Sequence, residues 1–245
     1  MSDSIAFGGL KHSDFKQSRA VLTRDGFDSQ KAAAAVRALF GLALVNLWDS
    51  YDFDTQTWTD SVGGEDATPT VNAPPAAIIN GHSYPVFDGI DTALDAVDTD
   101  VLDGRSDWCI FSAFKTNAAD AYGAIIDKGG QFYVEFSGQA FYVSGQAGAP
   151  LDGAIVVNDD QWHRVIISVI GNAATLYVDG VVDVTATMNT LSVGSTDAVR
   201  LGGQPGPPDV ANSSILVVGI ATSGLDAGDV ATLDDILFRW TSGSF

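Results

Sequence analysis

Between residues 159 and 180 the chain reads DDQWHRVIISVIGNAATLYVDG, and this stretch narrows the possible folds more than any other. From His163 to Val169 the side chains alternate, with Val165, Ile167 and Val169 on one side and Arg164, Ile166 and Ser168 on the other. A two-residue period is that of a β-strand resting one face on a core; a helix, repeating every ~3.6 residues, would scatter the same positions around its surface. The run breaks at Ile170-Gly171-Asn172-Ala173 and again at Asp179-Gly180. Gly, Asn and Asp tolerate the left-handed backbone that tight hairpin turns demand, so the stretch reads as a β-hairpin closed by a second turn.

The same punctuation recurs at Asn80-Gly81, Asp88-Gly89, Asp103-Gly104 and Asp152-Gly153, between short apolar runs. That spacing predicts an all-β fold: two packed antiparallel sheets in a jelly-roll sandwich. A chain of 245 residues suffices for one such sandwich with a large buried core, and a second domain is not expected. Residues 1–41 depart from the pattern. SQKAAAAVRALF (29–40) is Ala-rich, with Asp28 or Ser29 placed to cap its first turn and Gly41 just past its end, which predicts a short helix. Residues 13–24 could add a further helical turn. The expected organisation is therefore a helical N-terminal extension over 1–41 and a sandwich over 42–245, its first strand at 42–48.

Charge is unevenly divided. The formal net charge is −19, but Lys11, Lys16, Arg19, Arg24, Lys31 and Arg37 face only four aspartates through residue 37, a surplus of two that leaves −21 for residues 38–245. So acidic a body repels nucleic acid and anionic membrane, and neither is an expected partner. The six cations are candidates for anchoring the arm on an acidic protein surface, against the plainer reading of a solvated helix face. No charged segment followed by an apolar core opens the chain, and the apolar run near 32–48 is interrupted by Arg37 and Asn46, so neither a secretory leader nor membrane insertion is expected. Cys109, the sole cysteine, cannot form an intrachain disulfide and shares a strand face with Phe111 and Ala113, the setting of a small buried hydrophobe.

Catalytic patterns are sparse. The chain has only two glutamates, Glu65 and Glu135, with no paired-carboxylate spacing around either. His12, His82 and His163 stand far apart, outside any metal-ligand spacing, and no nucleophile elbow or phosphate loop occurs. His163 reads as the start of a strand. Of the 29 aspartates, Asp88, Asp91, Asp95, Asp98 and Asp100 are the densest group, yet without the spacing of a calcium loop they read as solvated carboxylates, and Asp88 as a turn former. No enzyme activity, cofactor or metal is expected. Alternation in QFYVEF sets Phe132, Val134 and Phe136 on one face and Tyr133 and Glu135 on the other; Tyr133, Tyr142 and Trp108 are the candidates for an aromatic surface that stacks on sugars.

Five blocks carry a family resemblance: WTDSVGGEDAT (58–68), VFDGIDTALDAV (86–97), IIDKGGQFYVEFSG (125–138), the W-H-x-V to L-Y-V-D-G segment, and VRLGGQPG (199–206). In this order they resemble the laminin-G-like, concanavalin-A-like jelly-roll domains over roughly 42–240. The resemblance implies a fold and leaves function open. Relatives of this kind usually act outside cells. A chain with no visible leader and no disulfide pair fits a bacteriophage virion protein, made in the host cytoplasm and released by lysis. The expectation is then a non-enzymatic virion surface component, a capsid decoration, spike or fibre, anchored to other virion proteins through its arm; a lectin-like module touching host glycans, or an extracellular protein, is the alternative, with a glycan-active enzyme ranked behind them.

Overall fold

The computed structural model describes residues 29–242, apart from 55, 71, 80–81, 99, 118–122, 130, 138–139, 146–149 and 204–211. Helix α1 (Ser29–Phe40) opens the described chain and ends at Gly41, whose φ of 58° is the left-handed stop the sequence predicts. The N-cap candidate Asp28, and the further helical turn expected over 13–24, lie outside the described residues.

Strands β1 (Leu44–Phe53), β2 (Trp58–Asp60), β3 (Thr68–Pro69), β4 (Ala76–Ile79), β5 (His82–Asp88) and β6 (Leu94–Ala96) follow. Then come β7 (Trp108–Thr116), β8 (Gly123–Lys128), β9 (Phe132–Ser137), β10 (Ala140–Gly145) and β11 (Leu151–Asp152). The chain closes with β12 (Trp162–Ile170), β13 (Ala173–Val178), β14 (Val181–Thr187), β15 (Val199–Leu201), β16 (Asn212–Ala221) and helix α2 (Ala227–Ser242). Nine strands form one sheet, in the order β14-β13-β12-β7-β16-β1-β2 with β5 and β4 added beside β16, and seven form the other, β11-β10-β9-β8-β15-β6-β3. The paired strands run antiparallel, as a jelly-roll sandwich requires.

The opening hairpin is the β12-β13 pair, and β14 extends it into a meander. Gly171 and Asn172 (φ 55° and 68°) form the first turn and Asp179 and Gly180 (φ 51° and 77°) the second, each with both central residues left-handed, the geometry that matches strand twist.

Between the sheets lies an aromatic core that includes Trp48, Trp108, Phe114, Phe132, Phe136 and Phe141. A second core, not anticipated from the alternation, lies on the other side of the nine-stranded sheet, where Phe111, Ile166 and Leu216 meet Val36 and Phe40 of α1 and Leu233, Leu237 and Trp240 of α2. Phe40 stacks on Phe111 at 5.6 Å. Strand β12 is thus buried on both faces rather than one: Val165, Ile167 and Val169 enter the inter-sheet core, while Ile166 lies under the helices. Ser168, buried on that face, satisfies its hydroxyl against the backbone of Leu225, donating to the carbonyl at 2.8 Å and accepting the N–H at 2.7 Å.

Helix α2 follows from the local sequence, although the turn signals obscure it. Asp226 caps its start, its carboxylate accepting the N–H groups of Gly228 and Asp229, and Val230, Leu233, Ile236, Leu237 and Trp240 recur at helical spacing on its buried side. The molecule therefore has three layers, helices, nine-stranded sheet and seven-stranded sheet, and the strand face turned away from both cores belongs to the last.

Candidate functional site

Strand β9 shows how that outward face is built. Phe132, Val134 and Phe136 are buried in the inter-sheet core, so the pleat turns Tyr133 and Glu135 outward, where both are half-buried. On β10, Phe141 and Val143 likewise point inward and Tyr142 outward. Register sets Tyr142 opposite Glu135 and Ser144 opposite Tyr133, so the two tyrosines are diagonal neighbours on one surface, about 7–8 Å apart between Cα atoms. Asp152 of β11 faces Tyr142 on the far side.

In the other direction the row continues through charge. Tyr133 pairs with Asp127 of β8, Asp127 with Arg200 of β15, and Arg200 with Asp95 of β6. The Arg200 Nε lies 3.5 Å from Asp95 Oδ1 and its Nη1 3.9 Å from Asp127 Oδ2, so one guanidinium bridges two carboxylates. Asp127 is fully buried. Burial also pushes the Asp95 carboxyl above the usual aspartate range, with Arg200 partly offsetting it. The result is an aromatic pair with Glu135 and Asp152 at its edges and an acid–base–acid ladder beside it.

Tyr133 and Tyr142 are the two sequence candidates that the fold brings together. Trp108 is a correction: it is fully buried on β7 in the other sheet, stacked on Phe132 at 6.3 Å. Both faces of β7 are covered, one by the facing sheet and one by the helices, so its large aromatics pack cores and reach no solvent. Alternation within I-I-D-K and V-R-L was the available signal for Asp127 and Arg200, but their meeting depends on pairing between strands about seventy residues apart.

The cations divide similarly. Arg37 is exposed on α1 and donates to the Ser61 carbonyl, tying the helix to the turn after β2, and Lys31 is half-buried on the same helix. Lys11, Lys16, Arg19 and Arg24 lie outside the described residues. The aspartate group is dispersed among partners. Asp88 Oδ1 accepts from the N–H groups of Ile90, Asp91 and Thr92 and from the Thr92 hydroxyl, Asp91 accepts from Asn72, and Asp98 pairs with the buried Lys128 at 2.6 Å. Partial burial works against the charged form of Asp88, yet these hydrogen bonds outweigh it and lower its pKa. Among the described residues no group of three or more His, Cys, Asp or Glu side chains could hold a metal ion.

The two glutamates are not paired with each other. Glu65 sits in the turn before β3, its carbonyl accepting the Trp48 indole N–H, and β3 is four strand positions from β9. At sheet spacing that is roughly 19 Å, well beyond the reach of a two-carboxylate glycosidase centre. His163 has a different employment. Its Nδ1 lies 2.7 Å from Asp179 Oδ2 and its Nε2 3.0 Å from Asp159 Oδ1, so each ring nitrogen faces a carboxylate, an arrangement that favours the protonated ring. Burial opposes that charge, but the two hydrogen bonds outweigh it and raise the pKa above the ordinary histidine value. Arg164, next along β12, joins Asp179 at 3.3 Å to Asp234 of α2 at 2.8 Å, making this cluster a latch between the meander and the helical layer.

A family model described as the concanavalin A-like lectin/glucanases superfamily matches residues 88–231, more than half of the chain. This chain belongs to that superfamily. No curated protein matches it by sequence. Among solved structures it is similar to domain 4 of AbnA, an extracellular arabinanase of Geobacillus stearothermophilus determined with arabinotriose: TM-score 0.63 at 17% identity, covering 78% of this chain and 98% of that domain. It is similar also to the binding domain of Paraclostridial mosquitocidal protein 1, with TM-score 0.65 at 10% identity over 79% of this chain and 53% of that one. A Trypanosoma rangeli sialidase gives TM-score 0.61 at 12% identity, covering 84% of this chain and 34% of the sialidase. At these identities the likeness establishes a shared sandwich. The superfamily thus presents here a jelly roll with one layer of helices and an outward strand face carrying Tyr133, Tyr142 and the Asp95–Arg200–Asp127 ladder.

Proposed function

We propose that this chain is a non-catalytic carbohydrate-binding module whose contact surface is the outward face of the seven-stranded sheet. The observation that carries the reading is the register-fixed Tyr133/Tyr142 pair edged by Glu135 and Asp152. Aromatic faces stack on the C–H faces of sugar rings while carboxylates accept from hydroxyls, which is the chemistry of a shallow glycan site. The arabinotriose bound to the AbnA domain supports it at the level of shared fold. Binding to immobilised glycans should fall at least ~10-fold in Tyr133→Ala and in Tyr142→Ala, each with an unchanged near-UV circular dichroism spectrum. Wild-type chain that retains no glycan on a broad array sinks the reading.

A second reading concerns where such a module works. Helix α1, which continues from the basic N-terminal segment, packs on the outer side of the nine-stranded sheet, the layer opposite the tyrosine face. An anchor entering there leaves the sugar face outward, the arrangement of a displayed head, and this supports a virion surface component held to other virion proteins through Lys11, Lys16, Arg19, Arg24, Lys31 and Arg37. Particles that incorporate a chain lacking residues 1–28 as efficiently as the full chain would remove that support.

A further inference from the structure

We infer that the outer edge of β4 is a self-association surface, along which a second copy of this chain lays its own β4 antiparallel, about a two-fold axis at Ala77. On one side β4 pairs with β5, and among the described residues no strand pairs with its other side. The ladder fixes which backbone groups face that open side. The Val86 N–H donates to the Pro75 carbonyl at 2.9 Å, and in an antiparallel pair hydrogen-bonded positions alternate with non-bonded ones. Register sets Ala77 opposite Tyr84 and Ile79 opposite His82, so Pro75, Ala77 and Ile79 hold the bonded positions. Ala76 and Ile78 therefore turn their N–H and C=O groups outward, and both side chains are exposed, Ile78 by 74%. Pro85, which has no N–H, stands opposite Ala76, where the ladder asks for none.

Edges of this kind are ordinarily blocked by a charge, a proline or a bulge within the strand, and Ala76–Ile79 has none of them. The strand lies within residues 67–87, which contain no Asp, Glu, Lys or Arg, the longest such run in a chain where those residues make up 18%. A body of net charge −19 repels its own copy, so the approach is least opposed where carboxylates are missing, and this hairpin is that place. The edge is also its own complement. With Ala77 opposite Ala77 of the second copy, Ala76 of each faces Ile78 of the other, and every outward N–H meets an outward carbonyl. The helices pack chiefly over β1, β7 and β12, away from the seam. The two-fold axis of such a seam stands perpendicular to the sheet, so both copies turn their helices to one side and their tyrosine faces to the other. Joint binding of a repeating surface by two such faces rests on the carbohydrate reading; the seam does not.

Sedimentation velocity of the full chain from about 5 to about 400 µM tests the seam without any glycan. It is shorter than a standard interface of about 800 Å² per partner, so the expected dissociation constant is on the order of 50 µM. Association should tighten between about 50 and about 500 mM salt, because salt screens repulsion between the bodies and the seam holds no charge pair to weaken. Ala76→Lys combined with Ile78→Lys, at two exposed positions, should leave the circular dichroism spectrum unchanged. It should weaken association at least ~10-fold even though it lowers the net negative charge. Ala77→Cys reads the register: opposed non-bonded positions bring Cα atoms to about 4.5 Å, within disulfide reach. Oxidised glutathione should convert it to a covalent dimer at least ~10-fold faster than Ala231→Cys, at an exposed position of α2. Cys109 does not interfere, since it is fully buried and burial raises its thiol pKa. A wild-type chain still monomeric at the highest concentration overturns the inference. So does a dimer that survives the double lysine variant, or an Ala77→Cys chain that crosslinks no faster than Ala231→Cys, because either result places the contact elsewhere.

Discussion

Replacing His163 by glutamine tests the latch between the meander and α2, because it changes stability at one pH and little at another. In the wild type the imidazolium donates to Asp179 at 2.7 Å and to Asp159 at 3.0 Å, on a side chain only 10% exposed. Glutamine keeps the volume and one donor group but removes the positive charge. Loss of a charge-assisted hydrogen bond next to a partly buried carboxylate costs about 2 kcal/mol. For a domain of this size that is a fall in Tm of roughly 4–8 °C. The pH window follows from linkage. The folded pKa of His163 is raised, so its contribution is full below the unfolded value near ~6.5 and fades as pH climbs through the folded value. Both partners are shifted the other way. Asp159 is lowered chiefly by its hydrogen bond to His163, and Asp179, despite burial, by bonds to His163 and the Arg164 N–H, so their share is lost as pH falls from about 4 through those lowered values. The latch is thus strongest between about pH 4 and 6.5, and Arg164 continues to hold Asp179 above that range. Thermal unfolding of both proteins from pH 5 to 9 should show the full gap near pH 5.5 and its narrowing at alkaline pH. A gap of constant size across that range would refute the reasoning, since it would mean that His163 contributes through packing alone.

Two further substitutions probe the layers. Gly219 of β16 lies against the Phe111 ring, where a Cβ would come within 1.9 Å of the ring's end, so Gly219→Ala should displace Phe111 from its stack on Phe40 and cost several kcal/mol in urea unfolding. Lys128→Met keeps the aliphatic stem but leaves Asp98 and Asp103 facing an apolar neighbour. A loss of about 3 kcal/mol is expected, recovered in part by adding Asp98→Asn, and an additive pair would contradict the ion-pair account.

What the sequence determined by itself is local. The alternation over His163 to Val169, the left-handed residues at Gly171-Asn172 and Asp179-Gly180, the glycine stop of α1 and the outward placement of Tyr133 and Glu135 depend on near neighbours in the chain, and each is present as read. Helix α2 was equally legible in Asp226 and the spacing from Val230 to Trp240, but its residues also read as the last part of a β domain. Tertiary structure alone decided which strands became neighbours: β7 between β12 and β16, and β15 beside β8. Those choices buried Trp108, put Ile166 under a helical layer and joined Asp95, Arg200 and Asp127 into one ladder. The reason is physical. A period of two says that a side chain points to one face or the other, while what covers each face is settled by distant segments competing to bury apolar area, a property of the whole chain that no local pattern encodes.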